Sequence, residues 1–317
     1  MPLDPQIAGL LENFRKMRGK PVQEMTPREA RFAGWTWKYL MGEPEQVADV
    51  AYHFVPGPTA DLPARIYRPL GSTPEHAATL IYFHGGGFVL GNIEICDAFC
   101  RALANRSGCV VVSVNYQKAP EHKFPIPLDD CYAATQWVFE WAGALGLDPA
   151  RIGVIGDSSG GNLAAAVAQR ARDENGPRLA WQALFYPALR GTTDSGSARE
   201  HASGYTLERA GMEYFWNHYI RTPDDVDDPR CAPLAAQSLA GLPPALIVCA
   251  RYDPLLDDGT DYARRLEEAG VPVRLSVYDG MSHGFLWMGG VVDRAHEALE
   301  EIGSAARERL AGPGAAS

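Results

Sequence analysis

Three short stretches of this chain carry the residue types of nucleophilic catalysis. GDSSG (156–160) puts two hydroxyls on one corner, DPLLDDG (253–259) supplies carboxylates, and SHGF (282–285) supplies an imidazole. A serine hydroxyl is a weak nucleophile. It needs a base to take its proton and an acid to orient that base. GDSSG fits G-x-S-x-G with Ser158 at the centre. The β-branched run RIGVIG (151–156) precedes it and the helical run NLAAAVAQRA (162–171) follows, which is the strand–turn–helix setting that motif requires. Glycines on both sides let strand and helix crowd a strained central residue. Such a turn aims the Ser158 hydroxyl off the C-terminal edge of a sheet. It leaves the Ser159 backbone N–H at a helix N-terminus, where partial positive charge favours an oxyanion. Ser159 is off the centre of the motif and is the lesser candidate for nucleophile.

HGGGF (84–88) closes the apolar run TLIYF (79–83). Three consecutive glycines expose main-chain N–H groups to developing negative charge with no side chains in the way. On the fold that carries such a serine corner, an acid and then a histidine follow in chain order. His201 and His218 precede the best acid, and His296 lies within a helical pattern. His283 lies in a polar loop just after the last apolar run, so it is the expected base. Asp253 ends the preceding run, with Pro254 fixing the turn, and is the expected acid. Asp257 and Asp258 are the runners-up and read as helix-capping or solvated residues. Asp279 is nearer to His283 in sequence but ends a different run.

These groups need a scaffold, and the chain spells one out. Strand signals recur at 47–55, 64–70, 79–85, 109–116, 151–156, 181–187, 244–250 and 273–279. The middle ones are continuous apolar runs, as in strands covered on both faces. Helical patterns fall at 97–106, 128–142, 159–173, 258–269 and 292–310, and Gly270 is placed to stop the fourth. Alternation of this kind predicts an α/β fold with a mostly parallel central sheet flanked by helices. The first 45 residues read as two helices. Leu3, Ile7, Leu10, Leu11 and Phe14 share one face of the first. Thr26, Pro27 and Glu29 give the second a capping box with proline at its first position. Residues 188–230 break the alternation with a polar loop and a helix over 206–220. The expected division is a helical cap from 1–45 and 188–230, over a core of 46–187 and 231–317. Trp35, Trp37, Phe88, Tyr205, Phe215 and Trp216 are the expected lining of an apolar pocket, although aromatic stripes most often only pack.

Charge and composition exclude several classes. Net charge is −10, a balance that repels phosphate backbones, so nucleic acid is not an expected partner. Six scattered cysteines form no C-x-x-C pair and no cluster with histidine, so buried free thiols are expected, and neither zinc nor any other metal. MPLDPQIAGLLENFRKM (1–17) lacks the basic and apolar regions of a secretory signal. No apolar run reaches the roughly 20 residues of a membrane span. A cytoplasmic protein is the expectation. AGPGAAS (311–317) reads as a frayed tail.

With HGGGF, GDSSGG, DPLLDDG and HGF in this order, the chain resembles the hormone-sensitive-lipase-like family of α/β hydrolases, the bacterial family IV carboxylesterases. YQKAPEHKFP (116–125) and DPRCAPL (228–234) resemble further segments of that family. An HGGG-type loop partners the serine corner in lipases and esterases. The resemblance implies an α/β-hydrolase fold with a helical cap and a serine carboxylesterase for small esters of short to medium acyl chain. It implies Ser158 as nucleophile, Asp253 as acid and His283 as base, with Gly86, Gly87 and Ser159 giving the oxyanion N–H groups. His84, Asp157 and Glu121 become support residues. No cofactor is implied, and a homodimer through the edge of the last strand is. Ser159 stands where the family usually has alanine, and Gln117-Lys118 where it has Arg-Leu. The serine variant also occurs in plant gibberellin receptors, which have lost the catalytic histidine. A ligand-binding protein without turnover is therefore one alternative, which the presence of His283 opposes. An amidase or peptidase using the same three side chains is another.

Overall fold

The computed structural model describes residues 2–17, 19–71 and 75–311. All but the first residue of the AGPGAAS tail lies outside the described residues. Eight strands form one sheet: β1 (Asp49–Pro56), β2 (Asp61–Arg68), β3 (Ala77–Phe83), β4 (Val110–Val114), β5 (Leu147–Asp157), β6 (Trp181–Phe185), β7 (Ala245–Tyr252) and β8 (Val273–Ser282). The helices are α1 (Pro5–Met17), α2 (Pro27–Gly34), α3 (Trp37–Leu40), α4 (Asp97–Ser107), α5 (Ile126–Glu140), α6 (Ser159–Asp173), α7 (Gly196–Glu200), α8 (Arg209–Tyr219), α9 (Leu256–Glu268) and α10 (Asp293–Arg309).

The strand order is β1-β2-β4-β3-β5-β6-β7-β8. β2 runs antiparallel to both β1 and β4, and the other neighbours are parallel. Every residue of β4 and of β6 is buried, which is why these runs are apolar without alternation. Successive side chains of β3 still go to opposite faces. Ile81 and Phe83 join the core beneath α5, α6 and α9, while Leu80 and Tyr82 join the core beneath α4 and α10. Fully burying one such aliphatic or aromatic side chain stabilises the fold by about 1.5–3 kcal/mol.

The expected elements occur with shifted ends. The two N-terminal helices become three, because the second breaks after Gly34 and resumes at Trp37. Its capping box forms as expected. Thr26 N–H donates to Glu29 Oε2 at 2.7 Å, and Glu29 N–H donates to Thr26 Oγ1 at 3.3 Å. The helix expected over 206–220 starts only at Arg209, because Glu208 is extended. α7 is an addition. Its GSARE run has no apolar periodicity, and the turn is held by Ser195, whose Oγ accepts from Ala198 N–H at 3.1 Å. Gly270 adopts φ +74° just past α9, the left-handed stop its position predicts. All six cysteines are free and buried. No helix among the described residues is long and apolar enough to cross a membrane.

Candidate active site

The corner between β5 and α6 is closed by backbone. Ser158 sits at φ +54°, ψ −119°, a conformation that costs energy for any residue with a Cβ and persists only where its surroundings enforce it. Its N–H donates to Phe185 O at 2.8 Å, and its carbonyl accepts from Asn162 and Ala188 N–H at 3.1 and 3.2 Å. The flanking glycines are steric requirements. A Cβ on Gly156 would strike Gly160 O, and one on Gly160 would strike Phe83 O. With no side chains there, strand, helix and β3 close around the serine.

At the same sheet edge, Asp253 follows β7 and His283 follows β8. His283 Nε2 lies 3.0 Å from Ser158 Oγ, and His283 Nδ1 lies 2.7 Å from Asp253 Oδ2. Asp253 is fully buried, and its second oxygen accepts from Leu255 N–H at 2.9 Å. A buried carboxylate on Nδ1 calls for the tautomer with hydrogen there, which leaves Nε2 free to accept the serine proton. Thr206 Oγ1 donates to the His283 carbonyl at 2.6 Å. The ring of Tyr186 packs edge-on at 4.8 Å from the imidazole.

The glycine loop after β3 is held from behind. Gly86 and Gly87 adopt φ +121° and +60°, in the half of conformational space that glycine enters freely. Gly86 O accepts from Leu90 N–H at 2.8 Å. Gly85 N–H donates to Asp157 Oδ1 at 2.9 Å, and Tyr82 OH donates to the same oxygen at 2.6 Å. Burial pushes the Asp157 carboxyl up to about 6 against the pull of those two donors. His84 is fully buried and stacks on Tyr116 with ring centroids 4.5 Å apart. Its Nδ1–H donates to Gly85 O at 2.8 Å. Burial, helped by the Lys118 charge, depresses its pKa to about 3, so it stays a neutral strut. Glu121 accepts two hydrogen bonds from Arg31 of α2, at 2.8 and 2.5 Å, and these hold its carboxyl down at about 2. Arg31 also donates to Val89 O and Ala119 O, both at 2.9 Å.

A cavity of about 540 Å³ opens above Ser158, bordered by His283, Gly86, Gly87 and Ser159. Trp37, Phe88, Tyr205, Phe215 and Trp216 line it as expected. Trp35 does not. It is 42% exposed and points to solvent, because two positions along a helix turn the side chain by about 200°. Sequence reading missed Tyr186, Leu207, Met212 and Trp287, which also line the cavity. Tyr186 had a signal. It follows a buried strand directly before Pro187, at the same sheet edge as the serine corner.

The discarded candidates lie elsewhere. His201 is buried against Tyr205 and Tyr252, His218 packs on Tyr214, and His296 is exposed on α10. Asp257 accepts from Ser197 N–H at 2.9 Å. Asp258 is not solvated. It is 2% exposed, accepts from Leu189 and Arg190 N–H at 2.8 and 3.0 Å, and pairs with the Arg190 guanidinium at 3.3 Å. Burial lifts its carboxyl to about 7. The chain reversal at 189–190 packs against α9 and buries it, a contact that local sequence does not encode. Asp279 pairs with Arg251 at 2.9 Å. Among the described residues no group of three or more His, Cys, Asp or Glu is placed to hold a metal ion.

Comparisons with known proteins agree with one another. A family model described as alpha/beta hydrolase fold matches residues 80–287. The chain is 37% identical to an ethyl acetate hydrolase of Pseudomonas putida, across 98% of this chain and 100% of that protein. It is 38% identical to an arylesterase of Saccharolobus solfataricus, across 90% and 93%. Among solved structures, an ester hydrolase from the metagenome of Lake Arreo, complexed with a derivative of bipyridine phosphonate, superposes with a TM-score of 0.95. Identity there is 38%, over 98% of this chain and 100% of that one.

Proposed function

Because the chain belongs to the hormone-sensitive-lipase-like branch of the α/β-hydrolase family and is a carboxylic ester hydrolase, we propose that Ser158 is its nucleophile, His283 its base and Asp253 the acid that orients the base. The single observation that carries this assignment is the unbroken chain of hydrogen bonds from Ser158 Oγ through the imidazole to Asp253, at 3.0 and 2.7 Å.

His283 Nε2 takes the serine proton as Oγ attacks the ester carbonyl. The resulting oxyanion is met by the N–H groups of Gly86, Gly87 and Ser159, each donor worth about 2.7–4 kcal/mol of barrier. Asp253 stabilises the imidazolium and fixes its tautomer. The imidazolium then protonates the departing alcohol and leaves an acyl-Ser158. Water repeats the sequence and frees the acid. Every step runs on side chains and backbone of this chain, so neither metal nor cofactor is called for.

The substrate is a small ester with a short to medium acyl chain. The largely apolar walls and the volume of about 540 Å³ support this. So do relatives that carry the names ethyl acetate hydrolase and arylesterase. Residues 1–45 and 188–230 act as the cap over a core of 46–187 and 231–317, a division supported by the cavity walls from α1, α2 and α8. Two finer readings accompany it. The protein works in the cytoplasm, supported by its six free buried thiols. It pairs as a homodimer through β8, supported by that strand's place at the sheet edge and by the exposed Leu275.

The test is turnover of p-nitrophenyl acetate, butyrate, octanoate and decanoate by wild type beside Ser158→Ala and His283→Ala. The expected result is fast cleavage of the shorter esters and at least about a thousandfold loss in both variants. A rate that climbs steadily beyond ten carbons would overturn the chain-length reading. Variants as active as wild type would overturn the residue roles.

A further inference from the structure

The helix that walls the cavity has a second face that the hydrolytic reaction does not use. α2 and α3 run as one nearly continuous rod, because Trp35 and Thr36 between them stay in the right-handed helical region. Its inner side, with Ala30, Ala33, Gly34 and Trp37, borders the cavity. Its outer side carries Arg28, Phe32, Trp35 and Tyr39, at spacings of four, three and four that put them on one stripe. Phe32 and Tyr39 are each 82% exposed and Trp35 42%. A surface helix normally turns charged residues outward and apolar ones inward. Here both sides are apolar or aromatic, and no acidic residue occurs from 30 to 42.

The charge around the stripe is opposite to that of the molecule. The rod itself, residues 27–40, holds three lysines and arginines against one glutamate, a local balance of +2, whereas the whole chain carries −10. Lys20 and Arg31 are neutralised by Glu29 and Glu121. Arg28 and Lys38, which flank the aromatic rings, have no ion-pair partner among the described residues.

We propose that the outer face of α2–α3 anchors the protein to an anionic lipid–water surface, with the cavity wall held against that surface. Exposed aromatic rings flanked by unpaired basic residues suit the headgroup layer, where rings sit at the apolar boundary and bases meet anionic headgroups. A protein partner fits less well. The rod is 14 residues, about 21 Å long and about 10 Å wide, so its stripe covers about 200 Å² against the roughly 800 Å² per partner of a stable complex. A second copy docked stripe to stripe would also crowd Arg28 and Lys38 against their own kind. The negative charge of the remaining surface opposes adsorption in any other orientation.

The test is co-sedimentation of the full chain with phosphatidylcholine vesicles, with and without phosphatidylglycerol, at low and high salt. Wild type should sediment with the anionic vesicles at low salt and be released by high salt. Phe32→Ser/Tyr39→Ser should partition about tenfold more weakly, and Arg28→Gln/Lys38→Gln several-fold more weakly. Both double variants should hydrolyse dissolved p-nitrophenyl butyrate as wild type does, which also reports that they fold. Should the aromatic pair misfold, the basic pair and the salt dependence still decide. The proposal is overturned if wild type ignores anionic vesicles or if both variants bind like wild type. It is also overturned if wild type self-associates through the stripe, seen in sedimentation velocity and lost in Phe32→Ser/Tyr39→Ser, without sedimenting with vesicles.

Discussion

The strand ends and the helices above them face one cavity, but they are held by different means. Around Ser158 the limiting contacts are backbone on backbone, as where a Cβ on Gly160 would meet Phe83 O. Above the serine they are side chain on backbone or on side chain. A Cβ on Gly87 would meet the ring of Phe215, and Phe88 stacks on Tyr219 at 3.7 Å. Backbone cannot swing aside, whereas a ring can take another rotamer. The proposed reacting atoms are therefore fixed by the rigid layer. The shape of the space in front of them is fixed by the adjustable one, where substrate preference can change without disturbing the chemistry.

The most drastic way to break this comparison is to remove the reacting groups from an intact scaffold. His283→Ala should lower kcat by about 10⁴–10⁶-fold, and Asp253→Asn by about 10⁴-fold. Both should leave a near-native circular dichroism spectrum and a cooperative thermal transition. Next come the two glycines. Gly160→Ala should destabilise the fold by about 3 kcal/mol, read as a lowered melting temperature, and no second-site change among the helices above the serine should restore it. Gly87→Ala should instead cost about 10²–10³-fold in kcat, and adding Phe215→Ala should return part of that loss. Equal rescue at both glycines would erase the distinction between the two layers.

A smaller effect tests the seam between them. Asp258 of α9 receives the N–H groups of Leu189 and Arg190, where the chain leaves β6 for the segment that carries α7 and α8. Its folded-state pKa is raised from 3.8 to about 7. Its contribution to stability is thus fully present below pH 3.8 and is lost as pH rises through about 7. Asp258→Asn should flatten the fall in stability across that window, as followed by urea unfolding at several pH values. The smallest effect belongs to Trp35. With its ring outside the cavity, Trp35→Ala should change kcat/KM for dissolved p-nitrophenyl butyrate by less than about twofold. Trp37→Ala, on the cavity side, should change KM measurably.

Much of the rigid layer was legible because it is written in local chemistry. Glycines that no other residue can replace, apolar runs of strand length and a proline-fixed turn marked the eight strands. They also marked Ser158, Asp253 and His283, which meet within hydrogen-bond distance although Ser158 and His283 are 125 residues apart. The layer above the serine was legible only as a set of helices. Which tryptophan faces inward depends on how the α2–α3 rod sits over the cavity, and positions two residues apart gave opposite outcomes at Trp35 and Trp37. The Arg31–Glu121 pair spans 90 residues, and neither partner's neighbourhood announces the other. Asp258 reads as a polar residue near a helix start, and only the packing of residues 189–190 makes it a buried acceptor.

The most direct test of the central assignment is covalent labelling. Wild type would be treated with a p-nitrophenyl phosphonate ester, the released p-nitrophenol counted and the adduct located by mass spectrometry. The expected result is stoichiometric release with the phosphonyl group on Ser158, and no labelling of a folded His283→Ala variant. An adduct on Ser159, or ester turnover that survives Ser158→Ala, would contradict it.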